Sequence, residues 1–304
     1  MAETFTGNLT GSAGSRLVIR DAELVPATTP DTPPPTPLPP PHGRRRVMWH
    51  HGWNGPAISS WPPDVRASLT TVCLAVCQSA TPNAKPGQET GKITDPPGVT
   101  RSEVLGLVAD GVDVLIGIGG SGQDKLHVVT PANVAELVAS VLSIRDRFGI
   151  TGICWDLEGT PGGSWTIEAV VAASRALVAA GMRVAIWSAT YGGRREAWGA
   201  VARALGTDLD HWQRALYDFP EAGDGRLTGI TTGALADLRP YLARDDQLVL
   251  CFAPIGSLSR TPAGVAVDAY AAARKASPLA GLAVFEDYRD SAQSWLMLRG
   301  LVKV

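Results

Sequence analysis

The feature that most constrains this chain is a rhythm that begins at Val47 and continues to the C-terminus. Short apolar, β-branched runs alternate with longer segments of helical periodicity. The runs are Val47–His51, Val72–Gln78, Val112–Ile118, Gly152–Glu158, Arg183–Ala189, Arg214–Phe219, Gln247–Ala253 and Leu282–Asp287. The clearest helices between and after them are Ala132–Phe148, Ile167–Ala180, Arg194–Leu205, Ala234–Leu242, Ala263–Ala276 and Ala292–Val302. Strands that alternate with helices argue for βαβ units and a parallel sheet. Strands rich in Val, Ile, Leu, Ala and Cys suit burial on both faces. Eight such units fit a closed (β/α)8 TIM barrel better than a doubly wound open sheet. At 304 residues and 45% hydrophobic, the chain has enough apolar material for that core.

Local signals set expected boundaries. Thr130-Pro131 reads as a cap followed by proline at the first helical position. Gly149 and Gly181 read as left-handed stops of two helices. Arg44-Arg45-Arg46 reads as a solvated approach to the first strand.

The barrel is expected to span residues 47–304. Before it, residues 26–46 form a spacer whose PATTPDTPPPTPLPPP stretch prefers polyproline II and builds no core. Residues 1–25 form a Gly/Thr/Ser-rich arm with one apolar patch, Leu17-Val18-Ile19. Two readings stand for this segment: a disordered tail, or a docking arm held away from the barrel by a stiff tether.

Several function classes are disfavoured. A formal net charge of -2 gives no basic surface for nucleic acid. No run approaches the roughly 18 apolar residues of a membrane span. The opening MAETFTGNLTGSAGS has neither a basic segment nor an apolar core of a signal peptide. The four cysteines, Cys73, Cys77, Cys154 and Cys251, form no CxxC pair and read as reduced thiols inside the barrel. His50 and His51, adjacent on a strand, point to opposite faces and do not share one metal ion; no metal or cofactor is expected. Gly117-Ile118-Gly119-Gly120-Ser121-Gly122 matches G-x-G-x-x-G, but it follows the third strand and no helix opens within it, so a nucleotide is not expected. Of the nine tryptophans, Trp155 is expected under the helices. Trp49, Trp53, Trp187 and Trp212, at or near strand ends, divide between ordinary packing and stacking on a ligand.

In a closed barrel the active site lies at the C-terminal ends of the strands. The fourth strand, Gly152-Ile153-Cys154-Trp155-Asp156-Leu157-Glu158, places Cys154, Asp156 and Glu158 on one face and Ile153, Trp155 and Leu157 on the other. Two carboxylates therefore point into the barrel at its functional end. Burying them costs several kcal/mol each unless they are paired (about that order). Mutual repulsion should raise one pKa, as a general acid requires. The competing structural reading has them binding helix N-termini or an arginine.

The same strand resembles the D-G-x-D-x-D-x-E signature of glycoside hydrolase family 18, the chitinases and endo-β-N-acetylglucosaminidases. Gly152, Asp156 and Glu158 match it, while Thr151 and Cys154 stand where that family has aspartates. Gly117-Ile118-Gly119-Gly120 is similar to the family's S-x-G-G, and Ala215-Leu216-Tyr217-Asp218 to its M-x-Y-D. In the eighth strand Phe285, followed by Glu286, falls where the family usually carries a tryptophan under the sugar. The resemblance implies substrate-assisted retaining hydrolysis, a departure from the two-carboxylate scheme. Glu158 would protonate the glycosidic oxygen, and the substrate's 2-acetamido oxygen would attack the anomeric carbon. Asp156 would orient that amide, Tyr217 would hydrogen-bond its oxygen, Asp218 would hold sugar hydroxyls, and Phe285 would floor the ring. Trp49, Gly119, Gly120, Cys154 and Glu286 complete the expected substrate-binding set. The implied partner is a cell-envelope polysaccharide carrying β-linked N-acetylglucosamine; the alternative is a weak or inactive carbohydrate-binding barrel with a structural role. The layout of arm, spacer and barrel is similar to that of phage minor tail proteins. It implies docking of residues 1–25 onto a larger assembly and a place on a virion tail or otherwise outside the cell.

Overall fold

In a computed structural model of the protein, eight parallel strands close into a barrel in sequence order, β1 through β8 and back to β1. The structure describes residues 44–81, 90–120, 129–159, 161–162, 165–188, 194–217, 226–254, 261–278, 280–285 and 291–304. The expected arm and nearly all of the spacer lie outside these residues.

The strands are β1 (Arg46–His51), β2 (Thr71–Cys77), β3 (Asp113–Gly120), β4 (Gly152–Leu157), β5 (Arg183–Ser188), β6 (Leu209–Ala215), β7 (Leu248–Phe252) and β8 (Gly281–Val284). The helices are α1 (Pro63–Ser68), α2 (Arg101–Ala109), α3 (Val134–Phe148), α4 (Ile167–Ala179), α5 (Arg194–Leu205), α6 (Arg226–Leu238), α7 (Ala263–Ala276) and α8 (Ser291–Val302). Among the described residues, no helix is long and apolar enough to cross a membrane. Closure is made by β1 against β8, with Val47 paired to Ala283 and Met48 to Val284.

Period-two alternation divides the apolar side chains into two clusters. Met48, Val72, Leu74, Val114, Ile116, Ile153, Trp155, Ile186, Trp212 and Leu250 face the helices. Val47, Trp49, Cys73, Leu115, Cys154, Ala185, Trp187, Val249, Cys251 and Ala283 fill the barrel interior. All four cysteines are free, buried thiols; Cys77 is on the helix side and the other three are inside. Gly117 lacks a side chain where one would collide with an indole: a Cβ there would sit 2.7 Å from Cζ3 of Trp49.

Several expected boundaries shift. The sixth strand runs over Leu209–Ala215 rather than 214–219. Its sequence, LDHWQRA, looks polar because it carries the buried groups described below. The helix expected at Pro131 begins at Val134, with residues 131–133 in a turn closed by Asn133 N–H donating to the Thr130 carbonyl at 2.9 Å. The helix expected over 234–242 begins at Arg226, and its expected end is a 3-10 turn, Arg239–Tyr241. α1 and α2 were not among the clear helices. α2 nevertheless carries a full capping box, Thr100 with Glu103. The left-handed stops hold, with Gly149 at φ 84° and Gly181 at φ 79°.

The closed, N-terminal end of the barrel is tied by charge. Arg45, just before β1, and Arg183, first in β5, each reach both Asp113, first in β3, and Asp210, second in β6. Arg45 lies 3.0 Å from Asp113 and also pairs with Asp210; Arg183 lies 2.8 Å from Asp113 and 3.2 Å from Asp210. All four side chains are buried. Arg45 is therefore part of the barrel base and not a solvated approach to it. The β5–β6 register shifts between Val184–Leu209 and Ala185–His211. The extra residue is Asp210, which reaches the arginines while His211 enters the interior.

From this base a hydrogen-bonded column rises along the barrel axis. Asp210 meets His211 Nδ1 at 2.6 Å, His211 Nε2 meets Gln213 Nε2 at 3.0 Å, and Trp49 Nε1 donates to Gln213 Oε1 at 2.7 Å. Because the Gln213 amide nitrogen only donates, His211 Nε2 accepts, so its proton is on Nδ1, directed at Asp210. Burial holds the His211 pKa below its ordinary value, even though Asp210 pulls it up. The His211 hydrogen bond and the two arginines hold the Asp210 carboxyl well below the usual carboxylate range despite its burial.

Arg183→Met would leave two buried carboxylates with one arginine between them. It should cost about 3–5 kcal/mol, the scale for removing one partner of a buried ion pair, measured by urea unfolding at pH 7. Both depressed pKa values act in the same direction. The unfolded chain binds a proton at His211 below about pH 6.5 and at Asp210 below about pH 3.9, while the folded chain resists both. Stability should therefore be full above neutrality and fall as pH drops. His211→Gln should flatten the fall between about pH 7 and 5 and reduce, without abolishing, the loss near pH 4, where Arg45 and Arg183 still favour the Asp210 carboxylate, read from unfolding midpoints across pH.

Candidate functional site

The open end of the barrel receives β4. Asp156 is the last inward residue of that strand and is only 3% exposed. Glu158 follows β4 directly, two residues on, and is half-buried. Trp155, on the other face, donates its indole N–H to Ser174 of α4 at 2.9 Å. Ile153 and Leu157 join the helix-side cluster. The predicted alternation is thus what the strand displays.

Two contacts fix this segment that the sequence did not reveal. Gly119, at φ 140°, approaches so close that a Cβ there would fall 1.8 Å from the Asp156 carbonyl oxygen. Gly119 and Gly120 lie inside β3, and their lack of side chains admits protein: the Asp156 backbone in one case, Val76 in the other. On the far side of Glu158, Trp165 donates its indole N–H to the Gly159 carbonyl at 2.9 Å and stacks on Trp198 of α5, with centroids 4.8 Å apart. The turn bearing Glu158 is therefore held from α5. A tryptophan in a loop gives no periodic signal, so no sequence pattern marks Trp165.

Cys154, one layer below Asp156, is fully buried. Burial first, then its hydrogen bond with Cys73, raises its thiol pKa. It is neutral there. The side-chain amide of Gln213 is within reach of both sulfurs, 3.5 Å from Cys73 and 3.7 Å from Cys154. The column from the base thus ends beneath the layer that carries Asp156.

Above that layer the mouth is aromatic. Tyr217 and Phe285 stack at 5.3 Å and 14°, and Trp187 leans on both at 6.3 Å and 6.1 Å. Phe285, 8% exposed, also meets His51 edge-on at 5.3 Å and Trp49 at 5.4 Å. His51 in turn meets Trp53, which is 45% exposed. His50 points the other way, against Trp61. Among the described residues, no cluster of three or more His, Cys, Asp or Glu side chains is placed to hold a metal ion.

The structure therefore brings together Asp156, Cys154, Tyr217 and Phe285 at one end of the barrel, with Glu158 just after β4. Trp49, expected to contact a sugar, is fully buried beneath Phe285 with its N–H engaged by Gln213, so it supports the floor from below. Trp212 faces the helices and donates to Ser188 at 2.8 Å. Asp218 and Glu286 lie outside the described residues. Trp187, which the sequence left between packing and stacking on a ligand, belongs to the interior cluster at the mouth, and Gln213 and His211 are interior residues that the sequence reading did not place.

No protein-family model and no curated protein matches the chain. Solved structures do. The family GH18 chitinase from Chromobacterium violaceum superposes with a TM-score of 0.67 at 16% identity, covering 87% of this chain and 85% of that one. The GH18 chitinase from Pseudoalteromonas aurantia gives 0.62 at 14%, covering 85% and 99%. The GH18 chitinase ChiB from the chitin utilization locus of Flavobacterium johnsoniae gives 0.61 at 13%, covering 86% and 93%. At these identities the likeness is one of fold: the chain has a (β/α)8 barrel like that of the GH18 chitinases.

Proposed function

We propose that the protein is a glycoside hydrolase that cleaves β-linked N-acetylglucosamine in a cell-envelope polysaccharide with retention of configuration. The observation that carries this reading is the buried Asp156 at the inner end of β4, followed two residues on by Glu158, in a barrel like that of the GH18 chitinases. Glu158, half-buried at the rim, is the general acid for the leaving oxygen. The substrate's own acetamido oxygen serves as nucleophile, so the protein needs no second carboxylate as a covalent partner. Asp156 orients the acetamido group and offsets the positive charge that develops beside it. Tyr217 donates to the acetamido oxygen, and Phe285 supports the apolar face of the ring. On the sequence resemblance alone, Asp218 is assigned to the sugar hydroxyls. The arm and proline-rich spacer, on the sequence layout alone, tether the barrel to a larger assembly outside the cell.

Three features tune this scheme. A neutral Cys154 below Asp156 cannot exchange a proton with it as a second carboxylate would. Phe285 offers a smaller face than an indole. The stacking of Phe285 on Tyr217 supports a second reading, a barrel that binds glycans without turnover.

A chromogenic chitobioside separates the two. Wild type should release the chromophore, and Glu158→Gln should be slower by about 10²–10⁴-fold with its fold unchanged by circular dichroism. NMR of the first product should show the β-anomer. Absence of turnover by wild type from roughly pH 4 to 9, with oligosaccharide still bound, would overturn the hydrolase in favour of the binding barrel.

A further inference from the structure

The tryptophans differ in what their indole N–H groups meet. Trp49 donates to Gln213, Trp155 to Ser174, Trp165 to the Gly159 carbonyl and Trp212 to Ser188. The Trp187 N–H meets no acceptor among the described residues, although the residue is only 4% exposed. Trp61 and Trp295 share that lack, but both pack on the helix side of the barrel. Trp187 alone of the three belongs to the interior cluster. Leaving a buried donor unmet is unfavourable, and such groups are rare in folded proteins. Phenylalanine would fill much of the same apolar space without that cost.

The place of Trp187 suggests what meets the N–H. The β4–β5 register pairs Cys154 with Ala185. Two residues on, the same faces carry Asp156 and Trp187, so the unmet donor and the buried carboxylate share the barrel's functional end. The indole plane is fixed on one side by Tyr217 and Phe285, whose rings lie within 34° and 32° of it. A donor held against aromatic rings, at the same end of the barrel as a buried carboxyl group, disfavours an anionic ligand and suits a neutral oxygen.

We propose that the Trp187 indole N–H is a ligand-binding group that donates a hydrogen bond to an uncharged oxygen, a hydroxyl or an acetyl carbonyl, of the sugar seated in the barrel mouth. The assignment rests on the glycan reading above and adds to it a donor that makes Trp187 a specificity residue. A site built to hydrogen-bond a ligand oxygen discriminates against ligands that lack it, because the donor is then left buried and unmet.

The test compares wild type with Trp187→Phe in the full chain. Chitotriose and cellotriose binding are read by calorimetry, and stability by urea unfolding. Wild type should bind chitotriose, and Trp187→Phe should bind it about 5- to 100-fold more weakly. The unliganded variant should unfold at the same or a higher urea concentration, since it no longer buries an unmet donor. A purely structural indole predicts the opposite pair of results, lost stability with affinity retained, and that outcome overturns the proposal. An equal loss for both trioses identifies a hydroxyl as acceptor; a loss confined to chitotriose identifies the acetyl carbonyl. The Trp187 indole proton in wild type, assigned by its absence from the variant's NMR spectrum, should shift downfield on adding chitotriose. If it does not move while the sugar binds, Trp187 is not the donor. If wild type binds neither triose, the glycan reading falls and this assignment with it; if both proteins bind equally, only the assignment falls.

Discussion

The barrel depends on a square of four buried charges at its closed end. Arg45, Asp113, Arg183 and Asp210 come from the starts of β1, β3, β5 and β6, four segments far apart in sequence. None of the four can be buried alone, because a charge taken out of water without a partner is too costly to keep. The strands that carry them must therefore begin at matching heights, which sets the stagger of half the barrel. Such a square is weak evidence of extra stability compared with an apolar base. Its stronger effect is specificity, since a one-residue slip in β6 would withdraw Asp210 from both arginines. The square also fixes polarity above it. An anionic Asp210 draws the His211 proton to Nδ1, which leaves Nε2 to accept from Gln213, which in turn presents its carbonyl to Trp49. The orientation of an indole under the barrel mouth is thus set from the opposite end of the molecule.

Much of this was legible in the sequence. The alternation of apolar runs with helical segments needs no tertiary knowledge, and it located seven of the eight strands to within a few residues. The inward face of β4 followed from period two alone, and the structure places Cys154 and Asp156 inside as that rule requires. What stayed hidden shares one physical cause: polar groups buried in mutual contact look, residue by residue, like solvated ones. Asp210, His211 and Gln213 made the first part of β6 read as the end of a loop, so the strand was sought five residues too late. Arg45 read as surface for the same reason. The bulge at Asp210 broke the alternation that would have corrected the error. α1, six residues long, is too short to show a period.

The site shows a matching division of roles among aromatic residues of similar composition. Trp155 and Trp212 lock strands to helices, Trp165 secures the turn that carries Glu158, and Trp49 props the floor from beneath. Sequence position set Trp155 under the helices, but it left Trp49 and Trp212 between packing and stacking and did not mark Trp165. Only the partner of each indole nitrogen separates the scaffold from the surface a ligand would meet. Preorganisation of this kind, with inward groups held by neighbours that touch no ligand, is what a binding or catalytic centre on a rigid barrel requires.

Gly117 has a consequence beyond its own conformation. Its missing side chain is the volume into which the Trp49 ring extends, 2.7 Å from where a Cβ would lie. Across any set of descendants of this chain, the two positions behave as one compartment divided between two tenants. A larger residue at 117 is tolerated only where 49 has shrunk, and a smaller residue at 49 leaves a void unless 117 grows. Since Trp49 closes the column that begins at Asp210, such an exchange would also free the Gln213 carbonyl. Drift at a glycine in β3 would then register as a change in β6.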